Sequence, residues 1–218
     1  MADAQGQMFI GADSAQIDRQ IEGSYVDAWR RCVKVMPRSW FANKSFKTEA
    51  TASLTPNTAQ GKGYVALPND FYLLSSFKMR GWQKSVKEAS ISNERVAAIQ
   101  SNDYTRGSVI RPVCVIDLEE VMGEVKNVLH YYSLQKGTTA HVIEQAIYVP
   151  TAKPLSAIDA EDELELSEQV IEPLAYITAS TVFTMHEKND IATALDARAV
   201  EMFPGLQSTK SGVITTKQ

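Results

Sequence analysis

The sequence predicts an α+β fold in which N- and C-terminal helices form a helical bundle with an inserted antiparallel β-rich domain. Apolar residues recur every three or four positions over residues 17–36 and again over 174–202, as amphipathic helices require. Between them, over 64–150, short segments rich in β-branched and aromatic residues alternate with turn-forming residues. Helices at both ends and strands in the middle therefore predict a β-rich insert within a helical domain.

Composition limits the class of protein. The 218 residues are 44% apolar and 22% charged, enough for one large core or two small ones. The net charge of -4 argues against a dedicated nucleic-acid binder, which needs a large basic surface. The two cysteines, Cys32 and Cys114, are too far apart in sequence to indicate a disulfide framework or a thiolate zinc site. No run of 18 apolar residues occurs, so we expect no membrane span.

The first part of the chain predicts an arm, a helix and a loop. Residues 1–12 are polar, lack the features of a secretory signal and are expected to form an N-terminal arm. A helix follows from Asp13 or Ser14 and ends near Met36, because Pro37 disfavours a helical conformation in the residue before it. Residues 42–63 show no sustained period, which predicts a long loop that becomes ordered on contact with a partner.

The middle of the chain, 64–150, is expected to be one antiparallel β-rich domain. Turn formers such as Gly81, Gly123 and Gly137 separate its segments, and residues 91–100 have the composition of a short helix. The predicted strands are Tyr64–Leu67, Phe71–Met79, Gln83–Val86, Val113–Leu118, Glu124–Leu134 and Val142–Val149.

The last part of the chain predicts an acidic linker over 151–166, a helical hairpin up to residue 203 and a C-terminal arm over 204–218. With 13–63, residues 151–203 are expected to complete the helical bundle. Ser167 is one candidate start of the first hairpin helix, but Pro173 would then lie in its interior, so we favour a kink or a restart at Pro173. Asp190 is the expected N-cap of the second helix.

No catalytic, metal-binding or cofactor-binding motif is recognised. The three histidines, His130, His141 and His186, lie in separate elements without metal-ligand spacing, and Gly61-Lys62-Gly63 lacks the spacing of a phosphate-binding loop. The sequence therefore predicts a protein without enzymatic activity or cofactor. The less favoured alternative is a metal-dependent hydrolase or nuclease that uses the carboxylates at the end of one strand, Asp117, Glu119 and Glu120.

Charged side chains are unevenly distributed. Residues 30–47 contain basic and aromatic side chains but no acidic one; the basic candidates are Arg30, Arg31, Lys34 and Arg38. They could contact phosphates, form a solvated face beside core aromatics, or meet an acidic surface on a neighbouring copy. The acidic candidates for that contact are Asp159, Glu161, Asp162 and Glu163.

The order of elements, together with two segments, resembles the head-to-tail connector (adaptor) proteins of tailed bacteriophages, and most closely the ring proteins of crAss-like phages. The segment YVALPNDFYLLSSFKMRGW is similar to the LPxDF stretch that opens the adaptor β domain, and PLAYITASTVFTMHEKNDIATALDARAVEMFPG is similar to the paired C-terminal helices.

The resemblance implies a structural virion protein, present as a homo-oligomeric ring, expected to be dodecameric, that is assembled in the bacterial host cytoplasm. Such a ring binds the portal protein and other neck or tail proteins, and DNA passes through its lumen without specific binding. Within the C-terminal arm, Leu206, Val213 and Ile214 are the candidate portal-docking residues. A tail-tube terminator or a second neck ring is the alternative position in the same particle.

Overall fold

The computed structural model describes residues 14–121, 123–155 and 166–203. The expectation of an α+β fold is confirmed, because these residues form five α-helices and two sheets. In chain order the elements are α1 (Ser14–Val35), β1 (Lys44–Ser45), α2 (Lys47–Ala52), β2 (Thr55–Asn57), β3 (Lys62–Ala66), β4 (Phe71–Met79), β5 (Ser90–Ile91), α3 (Glu94–Ser101), β6 (Cys114–Val121), β7 (Glu124–Tyr131), β8 (Ile143–Pro150), α4 (Glu168–Met185) and α5 (Asn189–Glu201).

The chain divides into two compact units. The first, here called the helical unit, takes residues from the chain up to Ala42 and from Ala152 onward, and contains α1, α4 and α5. The second, the β unit, spans Asn43–Thr151 and contains both sheets with α2 and α3.

In the helical unit, α4 packs against both α1 and α5. The buried side of α1 carries Ala28, Trp29, Cys32, Val33 and Met36, at the spacing that the sequence indicates. The helix ends at Val35, two residues before Pro37, as expected. Phe41 then packs its ring edge-to-face against Trp29, with 6.0 Å between ring centroids.

The predicted restart at Pro173 is wrong, because α4 is assigned without interruption from Glu168 to Met185, with Ser167 in the N-cap position. Pro173 leaves the carbonyl of Gln169 without its usual i+4 donor, at a cost of about 3 kcal/mol in a helix interior. That cost is offset by apolar burial in the same stretch: Val170, Pro173, Leu174 and Ile177 are all buried.

The predicted N-cap of the second hairpin helix is also wrong. The cap position of α5 is Lys188, and Asp190 lies within the first turn of the helix. A carboxylate there still stabilises the helix, because the unpaired backbone N–H groups of the first turn carry partial positive charge. The preceding turn passes through Glu187, whose φ of 60° is left-handed.

The β unit contains two sheets and not one continuous antiparallel arrangement. A three-stranded antiparallel sheet has the order β1-β8-β4, and a five-stranded sheet has the order β2-β3-β7-β6-β5. Within the second sheet, β5 and β6 pair in parallel, which corrects the purely antiparallel expectation. The predicted strand Gln83–Val86 is wrong as well, since this segment contributes only an isolated bridge between Val86 and Phe77.

The long loop expected over 42–63 is also wrong, because the segment contains β1, α2 and β2. Phe46 and Ala50 are completely buried in the core of the β unit. The ring of Phe46 packs against those of Phe71, Phe77 and Tyr148, with centroid distances of 5.6–6.4 Å. The partners of this segment therefore lie far away in sequence, where a search for local periodicity cannot find them.

Asp70, in the LPNDF stretch, connects two strands of the three-stranded sheet. Its carboxylate accepts hydrogen bonds from Tyr148 Oη on β8 at 2.6 Å and from Lys44 Nζ on β1 at 2.9 Å. Partial burial would raise the pKa of Asp70, but these two bonds and the Lys44 charge lower it below its ordinary value. The motif thus has a structural role in this chain.

Candidate functional site

The β6–β7 hairpin extends the five-stranded sheet beyond the core. Cross-strand partners point to the same face of a sheet, and successive residues alternate between faces. The register pairs Ile116 with Leu129, Leu118 with Asn127 and Glu120 with Val125, so these residues share one face. That face is the core face, since Leu129 is fully buried and Ile116 packs against the core.

Toward the end of the hairpin the core face becomes exposed, and two of its residues there are apolar. Leu118 is 62% exposed and Val125 is 72% exposed. Ile91 on β5 is paired with Ile116 and is 77% exposed. We call Ile91, Leu118 and Val125 the hairpin patch. Single exposed apolar residues are ordinary, but three on one sheet face form a surface suited to contact with another protein.

The hairpin is also acidic. Residues 117–126 include four carboxylates, Asp117, Glu119, Glu120 and Glu124, against one cation, Lys126, whose ammonium lies 2.8 Å from Glu124. Glu120 shares the face of the hairpin patch, and Glu124 is exposed at the turn. Of these four carboxylates only Glu120 lies on the sheet face of the hairpin patch, because Asp117 and Glu119 point to the opposite face.

The opposite face of the same strands lines a cleft of about 550 Å³. Tyr64, His130 and Tyr132 contribute rings to it, and Lys62 and Glu119 contribute its charges. The His130 and Tyr132 rings are stacked with centroids 6.0 Å apart, and Tyr64 lies 5.4 Å from His130.

His130 Nε2 lies 3.4 Å from Glu119 Oε1, which is long for a hydrogen bond and becomes an ion pair only when the ring is protonated. Burial lowers the pKa of His130 below its ordinary value, although the carboxylates of Glu119 and Asp117 act in the opposite direction. The ring is therefore mainly neutral at pH 7, and the cleft carries one cation, Lys62, and one anion, Glu119.

The carboxylates proposed for the hydrolase alternative do not converge. Asp117 and Glu119 point to the cleft face, whereas Glu120 shares the opposite face with Val125. Asp117 is held by a hydrogen bond from Ser92 and one from the backbone N–H of Leu118, which together lower its pKa. Across residues 14–121, 123–155 and 166–203, no group of three or more His, Cys, Asp or Glu side chains has the arrangement of a metal site.

The second candidate surface is the basic side of α1. Arg30, Arg31 and Lys34 are exposed and follow one another at helical spacing, beside Val35, which is 45% exposed. Arg31 makes a bidentate ion pair with Asp196 of α5, with N···O distances of 2.5 and 3.2 Å. Arg30 makes an ion pair with Asp27 at 3.1 Å. Two of the four predicted interface cations are thus already neutralised within the helical unit.

The other two cations differ in their position. Lys34 is exposed in the last turn of α1 and makes no ion pair with the described residues. Arg38 lies after the helix, in the single 3₁₀ turn Arg38–Trp40, and is partly buried. We call Arg30, Arg31, Lys34 and Val35 the α1 surface. Its available charge is that of Lys34, and its apolar centre is Val35.

The remaining predicted interface residues lie outside the described part of the chain. These are the acidic candidates Asp159, Glu161, Asp162 and Glu163, and the arm candidates Leu206, Val213 and Ile214. Their predicted roles stay predictions.

Sequence reasoning missed the hairpin patch. The signal was present over residues 116–119, Ile-Asp-Leu-Glu, where apolar and acidic residues alternate as in a half-exposed strand. The glycine that turns the hairpin, Gly123, has a φ of +83°, as its predicted turn position suggests. What the sequence could not show is which end of the strand pair leaves the core.

The other two histidines have structural roles. Buried His141 shares a 2.6 Å hydrogen bond between its Nδ1 and the hydroxyl of Tyr131. Burial lowers the pKa of His141, which keeps the ring neutral. His186 is the C-cap residue of α4, and its Nε2 lies 2.9 Å from Gln20 Oε1.

No family model matches the chain, and no curated protein sequence matches it either. Among the helices of the described ranges, none has both the length and the apolar character needed to cross a bilayer.

Proposed function

We propose that the chain is a structural virion protein, one subunit of the ring that connects the capsid to the tail of a tailed bacteriophage. In this proposal the ring binds the portal and other neck or tail proteins and surrounds the DNA channel. The finer architecture, a helical bundle with the β unit inserted, belongs to the same proposal. Two observations support it. Helix α4 packs against α1 and α5, and the β unit, 43–151, lies in sequence between the two parts of the chain that form the helical unit.

The observation that carries the proposal is the hairpin patch. Three large apolar side chains, between 62% and 77% exposed, share one sheet face with the carboxylate of Glu120. An apolar surface with a charged rim is the usual composition of a specific protein interface, in which the centre excludes water and the rim selects the partner. A subunit of an assembly needs such a surface, and one that works alone does not.

Charge supports the DNA channel. The net charge of -4 leaves little positive surface on which DNA could be retained. A duplex that must pass through a lumen is not slowed by a wall that repels phosphates. Weak DNA binding is therefore an expected property of the ring.

The test is electron microscopy of the purified chain, alone and mixed with capsids that carry the portal. The proposal predicts ring-shaped particles with a central opening, or attachment of the chain to the portal vertex. A chain that stays monomeric and also fails to bind those capsids contradicts it.

A deletion of 206–218 separates the first position below the portal from a position further along the neck. Loss of capsid attachment with retained tail binding supports the connector ring. Retained capsid attachment with loss of tail binding supports the alternative, a tail-tube terminator or second neck ring.

A further inference from the structure

We infer that the subunits meet head to tail, with the hairpin patch of one copy seated on the α1 surface of the next. This inference rests on the proposed function and names the contact that would close the ring. The first step is that the occupant of the hairpin patch must offer an apolar surface, because Ile91, Leu118 and Val125 expose most of their side chains.

The second step is charge. Glu120 lies on the same sheet face as the hairpin patch, so the occupant is expected to present a cation beside its apolar centre. The α1 surface fits both requirements. Val35 is 45% exposed, and Lys34 beside it is exposed with no ion pair among the described residues. Arg30 and Arg31 on the same side are already paired with Asp27 and Asp196, so Lys34 supplies the available charge.

The third step is geometry. The two surfaces are different patches of the same chain, one in the β unit and one in the helical unit. Contact between different patches on successive copies is heterologous, and a heterologous contact whose rotation closes produces a ring and not a two-fold dimer. A contact between two copies of the hairpin patch is disfavoured, because the Glu120 carboxylates of the two copies would then lie close together.

Disulfide trapping tests the contact directly. The two native cysteines, Cys32 and Cys114, are fully buried, and burial raises the pKa of both thiols, so they react slowly. In the variant Val35→Cys with Val125→Cys, mild oxidation is expected to link successive copies into a ladder of covalent multimers on a non-reducing gel. Each single variant is expected to remain an unlinked chain.

A matched control uses the far end of the same helix. Ala15 is exposed on α1 and lies twenty residues before Val35, about 30 Å away along the axis. Ala15→Cys with Val125→Cys is expected to yield no ladder under the same oxidation.

Charge reversal is the second measurement. Glu120→Lys is expected to raise the concentration needed for assembly roughly tenfold. Adding Lys34→Glu to that variant is expected to bring this concentration most of the way back to that of the natural chain. Glu144→Lys, on β8 outside the hairpin, is the control for a general effect of charge, because Glu144 is also exposed and pairs with a lysine.

The outcomes separate this inference from the proposed function. If rings form but the Val35→Cys, Val125→Cys chain does not cross-link, and if neither charge reversal changes the concentration needed for assembly, the proposed contact is wrong. The proposal of a connector ring would be unaffected by that result. A Val125→Cys chain that links to itself overturns the head-to-tail arrangement. A chain that forms no oligomer and binds no portal overturns both proposals.

Discussion

The helical unit and the β unit differ in the sequence distance between the residues that stabilise them. In α1 the buried residues follow one another within a few turns, so the helix is visible as a period in the sequence. In the β unit, Phe46 packs on Phe71, Phe77 and Tyr148, up to about a hundred residues away. Helices formed by local spacing can be predicted from one sequence, whereas sheets formed by distant pairing are predicted only in part.

The units also differ in what they leave exposed. Among the described residues of the helical unit, the large apolar side chains that are exposed, such as Val35 and Met185, are at most 54% exposed. In the β unit Leu118, Val125 and Ile91 exceed 60%, and Tyr104 reaches 97%. Clusters of exposed apolar residues are typical of protein contact surfaces, so the proposal of assembly rests mainly on the β unit.

The largest expected effect tests whether residues 43–63 belong to the core of the β unit. Phe46→Ala should lower the free energy of unfolding of that unit by about 3 to 5 kcal/mol, because it removes a fully buried ring and leaves a cavity. Trp82 is the only tryptophan of the β unit, so its fluorescence in a Trp29→Phe, Trp40→Phe chain reports denaturation there. A loss below about 1 kcal/mol would mean that the segment does not contribute to the core.

This prediction marks the limit of what the sequence reveals. Strand β4 was predicted with its observed bounds, Phe71–Met79, because its β-branched and aromatic residues form a long run between turn formers. The sequence predicts a loop around Phe46, because the strand before it has only two residues, Lys44 and Ser45, and so shows no period of its own. Its pairing partners, Tyr148 and Ile147, lie about a hundred residues away. For Gln83–Val86 the error is the reverse: its composition predicts a strand, but the segment pairs with another strand only through the single bridge between Val86 and Phe77.

The candidate site, like the fold, could be predicted from the sequence only in part. The basic residues of α1 were identified from composition, but their pairing with Asp27 and Asp196 depends on side-chain positions, and for Asp196 on packing across 165 residues. The hairpin patch depends on where the core ends, which no local pattern records.

The next prediction concerns Gly61, whose backbone φ of +63° disfavours any other residue. A Cβ there would also collide with the carbonyl oxygen of Leu134. Gly61→Ala should therefore destabilise the β unit by about 3 kcal/mol, from the combined cost of the strained backbone and the collision. The readout is again Trp82 fluorescence during chemical denaturation.

Gly123 provides the matched control, because its φ is also positive, at +83°, but a Cβ would meet nothing within 4 Å. Gly123→Ala should cost about 1 kcal/mol, the backbone cost alone. Equal losses for the two variants would show that the approach of Leu134 to Gly61 is not a constraint.

In the helical unit the comparison is between two leucines, one in α4 and one in α5. Leu174 is 5% exposed, whereas Leu195 is only partly buried. Leu174→Ala should cost about 2 to 3 kcal/mol and Leu195→Ala about 1 kcal/mol, in proportion to the apolar contact removed. Urea denaturation followed by far-UV circular dichroism measures both. The reverse order would mean that the face of α4 that packs on α1 and α5 is assigned wrongly.

The smallest expected effect is the pH dependence of the β unit. Burial lowers the pKa values of His130 and His141 in the folded state, so the unfolded chain binds protons first as the pH falls. The stability contributed by the neutral rings is fully present above the unfolded pKa of about 6.5 and is lost as the pH falls below it. Denaturation midpoints between pH 8 and 5 should decline accordingly, and His141→Gln should reduce the slope. A stability that rises on acidification would contradict this assignment.

The most direct test of assembly is the mass of the purified chain as a function of concentration, measured by sedimentation velocity beside the variant Leu118→Lys with Val125→Lys. The proposal predicts a discrete ring-sized oligomer for the natural chain and a shift of the variant toward monomer, with unchanged circular dichroism. A natural chain that sediments as a monomer at every concentration, indistinguishable from the variant, would contradict the claim that the hairpin patch is an assembly surface.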